Sequence, residues 1–154
     1  MDPYRIRPAT GDDLEVVLRH RRRMFEHMGF SDGRALDEMI AGSTPLFQRG
    51  LTDGTYRGWL IETAGTGVVA GGGIIFLAFH SHPIDPRPQR AWVVNMFTEP
   101  EHRRRGLARR LMQAMVEWCR GQGMRCLYLH ASDDGRPLYE SMGFTSTHEL
   151  RLVL

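Results

Sequence analysis

Apolar residues recur along this chain with two different periods, and the change from one to the other divides it. Leu14, Val17, Leu18, Met24, Phe25 and Met28 fall at the three- and four-residue spacings of a helix face. Thr10, followed by Gly11, Asp12 and Asp13, has the form of an N-cap with acidic first-turn residues, and Gly29 that of a stop. A short strand over 4–7 and a helix to about His27 are therefore expected. A second helix is expected over 34–48 on Leu36, Met39, Ile40, Leu46 and Phe47. Pro45 should break it near its end, because proline lacks the helical N–H and crowds the preceding turn.

From Thr55 the period shortens. YRGWLIET and GVVAGGGIIFLAF are rich in strand formers, and Ala64-Gly65-Thr66 between them predicts a hairpin. Gly71, Gly72 and Gly73 lie inside the second of these strands. They lack the lysine of a phosphate loop, so they predict a bulge or a close backbone contact. Pro83, Pro86 and Pro88 make 80–90 a loop. Residues 91–98 (AWVVNMFT) form an apolar run with the length of a buried strand, ending at Glu99-Pro100. Leu107, Leu111, Met115 and Trp118 then mark a helix face that Gly121 and Gly123 terminate. Residues 124–130 supply the next strand, completing a strand-helix-strand crossover expected to be parallel and right-handed. A short helix over 133–141, stopped by Gly143, and β structure from 144 to 154 should end the chain.

Composition narrows the class. A chain of 154 residues, 42% hydrophobic and 25% charged, has the size of a single domain spanning 1–154. Cys119 and Cys126 fit no metal or redox spacing, which favours a reducing, cytoplasmic setting, packing roles for both, and no metal. No secretory signal opens the chain, and no run approaches the ~18 apolar residues of a membrane span. All twenty basic residues are arginine, a residue suited to forked contacts with anions. They cluster at 19–23 (RHRRR) and 103–110 (RRRGLARR). A net charge of only +2 argues against a nucleic-acid surface.

The second cluster joins a buried strand to the start of a helix. Backbone N–H groups there have no helical partner, and the macrodipole puts about half a positive charge beside them. Gly106 removes a side chain where a pyrophosphate would approach, Ala108 keeps the next turn small, and Arg103, Arg104, Arg105, Arg109 and Arg110 add charge.

The segment Arg103-x-x-Gly106-x-Ala108, directly after a buried strand, matches the Arg/Gln-x-x-Gly-x-Gly/Ala signature. In element order and in this motif the chain resembles the GNAT N-acetyltransferase superfamily over nearly its whole length, with alanine at the second small position as in many members. The resemblance implies an α/β fold of the α+β mixed-sheet kind. Its sheet would be mostly antiparallel, flanked by about four helices and splayed open between its fourth and fifth strands, with acetyl-CoA as co-substrate in the cleft. Met96, Phe97 and Thr98 would offer strand backbone to the pantetheine arm. Arg103, Arg104, Arg105, Gly106, Leu107, Ala108 and Arg109 would cradle the pyrophosphate, largely through main-chain contacts.

A second match is SDDGRPLYESMGF, over 132–144, which resembles the family's short helix ending in Tyr-x-x-x-Gly-Phe. Tyr139 stands at the position of the general acid that protonates the leaving thiolate, a task suited to a phenol with an ordinary pKa near 10. Some members carry a glutamate base on the fourth strand, and this strand has none. Asn95 can only orient, while Glu99, His130 or water remain as alternatives.

The implied acceptor is a small-molecule amine or a peptide. The family's acceptor site draws on the first two helices, here 21–34, where Arg22 or Arg23 could take a carboxylate and Phe25, Met28 and Phe30 cover an apolar part. The same residues also fit a solvated face above a core stripe. The missing strand carboxylate keeps open a non-catalytic acyl-CoA sensor of the same fold. The segment THELRLVL offers a strand through which two copies can pair as a homodimer.

Overall fold

The computed structural model describes every residue from Met1 to Leu154. After β1 (Tyr4–Pro8), the Asp13 carboxylate accepts the Thr10 N–H at 2.8 Å, and Arg7 grips the same carboxylate through two hydrogen bonds of 2.9 Å. The guanidinium holds the Asp13 carboxyl down at about 2. A 3-10 turn (Gly11–Asp13) then leads into α1 (Leu14–His27).

Helix α2 (Gly33–Asp53) departs from expectation, because Pro45 lies inside it and does not end it. An interior proline costs about 3 kcal/mol, and tertiary packing offsets it. Phe47 is buried edge-to-face on Tyr56 at 4.8 Å, and a Cβ on Gly50 would collide with the Tyr56 backbone and side chain. Both contacts lie beyond the proline, so the last turns are held from outside. Gly54, at φ 83°, supplies the left-handed cap that ends the helix.

β2 (Tyr56–Thr63), β3 (Gly67–Ala78), β4 (Gln89–Thr98) and β5 (Tyr128–Leu129) complete a five-stranded sheet in the order β1-β2-β3-β4-β5. All neighbours are antiparallel except β4 and β5, which are parallel and joined through α3 (Leu107–Gly121). On one face, Leu111, Met112 and Met115 of α3 pack on Ile61, Val69, Ile74 and Val93. Alternate strand residues such as Ile75 and Val94 face Val17 and Phe47 of α1 and α2.

The glycine run does what its strand context predicts. Gly73 pairs with Val94 and Gly71 with Phe97, so Asn95 and Met96 both stand opposite Gly72, and Asn95 adopts φ 60°. This is a β-bulge. It turns Met96 toward Met115 of α3, while Asn95 and Phe97 face α1. A Cβ on Gly72 would strike the side chains of Met96 and Met115, and one on Gly73 the Tyr56 ring.

Two expectations near the C-terminus are corrected. β5 is two residues long rather than spanning 124–130, and no strand forms over 144–154, where Leu150, Leu152, Val153 and Leu154 are exposed. Alternating apolar residues become a strand only when a backbone ladder forms with a neighbour, and the tail meets the sheet through the Glu149 side chain, at His130 and Arg90, without one. α4 (Arg136–Ser141) precedes it, and Gly143 follows at φ 94°.

Candidate active site

β4 and β5 are hydrogen-bonded at two residue pairs only, Trp92 with Tyr128 and Val93 with Leu129. Beyond Val93, β4 keeps its partner β3 on one side, and its other edge, along Met96, Phe97 and Thr98, is free. The chain leaves this open edge through a 3-10 turn (Pro100–His102) and enters α3.

The entry to α3 is built from two left-handed residues, Arg104 at φ 59° and Gly106 at φ 76°. The Arg103 N–H bonds the Pro100 carbonyl at 3.2 Å, and the Arg110 N–H bonds the Gly106 carbonyl at 3.0 Å. Between these two, the N–H groups of Arg104, Arg105, Gly106, Leu107, Ala108 and Arg109 find no acceptor in the protein. They converge at the positive end of a fifteen-residue helix, an arrangement that binds anions. Nothing lies within 4 Å of a Cβ built on Gly106, so the turn opens outward. The buried Leu107 side chain anchors it to the core.

The arginine side chains here divide. Arg103 Nε donates to the Thr98 carbonyl at 3.0 Å, Arg105 reaches the Glu101 carbonyl at 3.4 Å, and Arg104 has no partner. Arg109 donates to Ser141 Oγ at 2.8 Å, tying α4 to the turn. Arg110, expected to reach a phosphate, instead bonds Asp2 at 2.6 Å and the Tyr4 carbonyl at 3.1 Å, because its helix position faces β1.

Tyr139 of α4 is buried in the same core cluster as Leu107, edge-on to Phe144 at 5.9 Å, with Gly135 close against its ring. Its hydroxyl makes no hydrogen bond within the protein, and burial pushes the phenol pKa upward. The group is a protonated, unengaged donor throughout the neutral range.

Across β4, α1 places a second set of groups. Glu99 is ion-paired to Arg23, and its Oε1 lies 4.0 Å from Nε2 of His20. His20 is 1% exposed, its ring 5.1 Å from that of Phe97, and burial, reinforced by Arg19 and Arg23, lowers its pKa to about 4. His20 is hidden in the run RHRRR, although its spacing from Val17 places it on the buried face. His130 is exposed, 3.2 Å from Glu149 and edge-on to Trp92. Asn95, 3% exposed, accepts from Arg21 at 3.0 Å, and its amide nitrogen has no partner.

Arg22 pairs with Glu26 and Asp37 at 3.0 and 2.6 Å, and Arg23 with Glu99, so both are already neutralised by acids of the protein. Met28 and Phe30 are exposed. No group of three His, Cys, Asp or Glu side chains could hold a metal ion, and no helix is long and apolar enough to cross a membrane.

The model of the Acetyltransferase (GNAT) family matches residues 18–144, and the chain belongs to that family. A GCN5-related N-acetyltransferase from Ralstonia eutropha JMP134 is 34% identical over 98% of both chains, with a TM-score of 0.91. A predicted acetyltransferase from Clostridium acetobutylicum, solved with acetyl-CoA, shares the fold at 24% identity and TM-score 0.87, covering 98% of this chain and 96% of that one. The glucosamine-6-phosphate N-acetyltransferase of Arabidopsis thaliana shares it at 14% identity and TM-score 0.70 over 99% of both. No protein of curated function matches the chain in sequence. Family and fold imply acyl transfer from acetyl-CoA.

Proposed function

We propose that this protein transfers an acetyl group from acetyl-CoA directly to a primary amine of a small molecule or peptide, with Tyr139 as general acid. The observation that carries the reading is the run of unpaired backbone N–H groups from Arg104 to Arg109, beside the free edge of β4. These groups fit a pyrophosphate, with Arg103 and Arg109 flanking it. The edge of Met96, Phe97 and Thr98 fits the amide-bearing pantetheine arm as an added strand would.

In the reaction the amine nitrogen attacks the thioester carbonyl, the C–S bond breaks, and the thiolate takes the Tyr139 proton. Tyr139 is suited to this because burial keeps its phenol protonated and its hydroxyl engages nothing else. Glu99 is held by Arg23, His130 by Glu149, and His20 is too weak a base at about 4. The amine therefore enters as its free base and its surplus proton leaves to water.

The test is thiol release from acetyl-CoA across an amine panel, with acetyl-CoA binding measured separately by calorimetry. Saturable amine-dependent release is expected. Absence of acetyl-CoA binding overturns the donor reading, and tight binding without release over the panel favours the acyl-CoA sensor. Cytoplasmic placement and pairing of two copies through 147–154 belong to the same reading.

A further inference from the structure

Arg21 differs from its neighbours in the arginine run of α1. Arg22 and Arg23 are paired to carboxylates, and Arg19 is exposed, whereas Arg21 is half-buried and no carboxylate lies within ion-pair distance. Its Nε donates to Ser43 Oγ of α2 at 3.1 Å, and its Nη1 to Asn95 Oδ1 of β4 at 3.0 Å. Both acceptors are neutral. Nη2 has no partner, and the guanidinium lies over the rings of Phe25 and Phe47, at 5.2 and 5.6 Å.

A guanidinium removed from water without a counter-charge is costly, and burial disfavours its charged form, with only the Tyr56 phenol opposing. Such a group is unfinished unless an anion completes it. The two neutral partners fix the plane of the fork and leave Nη2 free, a donor suited to an anionic oxygen. Asn95 adds a second buried donor. Its amide nitrogen is buried beside the Tyr56 phenol, without a bond of full hydrogen-bond geometry, and the bulge places it next to Met96, Phe97 and Thr98.

We propose that Arg21 receives the carboxylate of the acceptor, so that the substrate is a small amine also carrying a carboxylate, held by Arg21 and flanked by Phe25. The proposal rests on the acetyltransferase reading above and adds the substrate class. It replaces Arg22 and Arg23 with the one arginine of the run whose side chain is anchored yet uncompensated.

The test compares the common amino acids, each with its carboxamide and its decarboxylated amine, in thiol release from acetyl-CoA. The wild-type enzyme should favour the carboxylate member of the best pair by 10-fold or more in kcat/KM, chiefly through KM. Arg21→Met, which keeps an apolar stem over Phe25 and Phe47, should abolish that preference, and Arg21→Lys should restore only part of it. Calorimetric binding to the CoA-loaded protein should show the same preference for the acid without turnover. Amide and acid used equally well, or a preference that survives in Arg21→Met, overturns the proposal while leaving acetyl transfer intact. Exclusive use of peptide N-termini also overturns it. Failure of acetyl-CoA itself to bind would instead strike the acetyltransferase reading.

Discussion

The two ends of the cleft are made in opposite ways. The proposed donor end is a contiguous stretch, Arg104 to Arg109, that offers backbone N–H groups. The end beyond β4 is assembled from side chains of α1, α2 and β4, namely His20, Arg21, Ser43 and Asn95, brought together from distant parts of the chain. A backbone site tolerates varied side chains, because its binding groups belong to every residue. A side-chain site is only as good as the packing that orients it. The cofactor end should therefore respond to changes in φ or charge, and the α1 end to changes in packing and protonation.

The largest expected effect breaks the link between the two ends. Tyr139→Phe keeps the packed ring and removes the proposed proton donor, so kcat should fall by about 100- to 10,000-fold with acetyl-CoA affinity little changed. Because burial raises the Tyr139 pKa, loss of activity through its deprotonation should begin above the ordinary value near 10. On the rising side, the rate should follow the free-base fraction of the amine. Steady-state kinetics across pH with two amines of different pKa check both limbs.

His20 sharpens the contrast through stability. Its folded pKa, about 4, lies below the unfolded 6.5, so between these values the unfolded chain binds more protons. Stability should therefore fall as pH drops from 6.5 to 4, by up to about 3 kcal/mol, and stop responding to this group below 4. Urea titrations of wild type and His20→Gln should show the slope in the first and its loss in the second.

Gly106→Glu acts on the donor end alone. It places a carboxylate beside the unpaired N–H groups and a side chain at φ 76°. Acetyl-CoA should bind about 10- to 100-fold more weakly by calorimetry, the loss expected when charge-assisted hydrogen bonds are opposed. Gly106→Ala keeps the site neutral and should cost about 1 kcal/mol in stability from backbone strain, with a smaller loss of affinity.

The smallest effect lies away from both ends. Arg7 lowers the Asp13 carboxyl from 3.8 to about 2, so its contribution is complete above the unfolded value and lost as pH falls through about 2. Arg7→Met should lower stability at pH 7 by about 1 kcal/mol and flatten the acid response below pH 4, without altering kinetics.

Much of this protein is determined locally. The strand-turn-helix of 91–121, the hairpin at Gly65, the cap at Thr10, the helix carrying Tyr139 and the turn at Gly106 all depend on neighbours within a few residues, which the sequence displays side by side. Long-range packing decided the rest. Pro45 stays inside a helix because Phe47 and Gly50 are held by Tyr56, and 144–154 forms no strand because it meets the sheet through side chains such as Glu149 and not through a backbone ladder. The bulge at Asn95 depends on register against Gly72, and the partners of Arg21, Arg22 and Arg23 on how α1 rotates above β4 and α2. Consecutive arginines are equivalent in a sequence. A helix sends each in a different direction, about 100° apart, and only the packed neighbours determine which one meets an acid and which is left to meet a ligand.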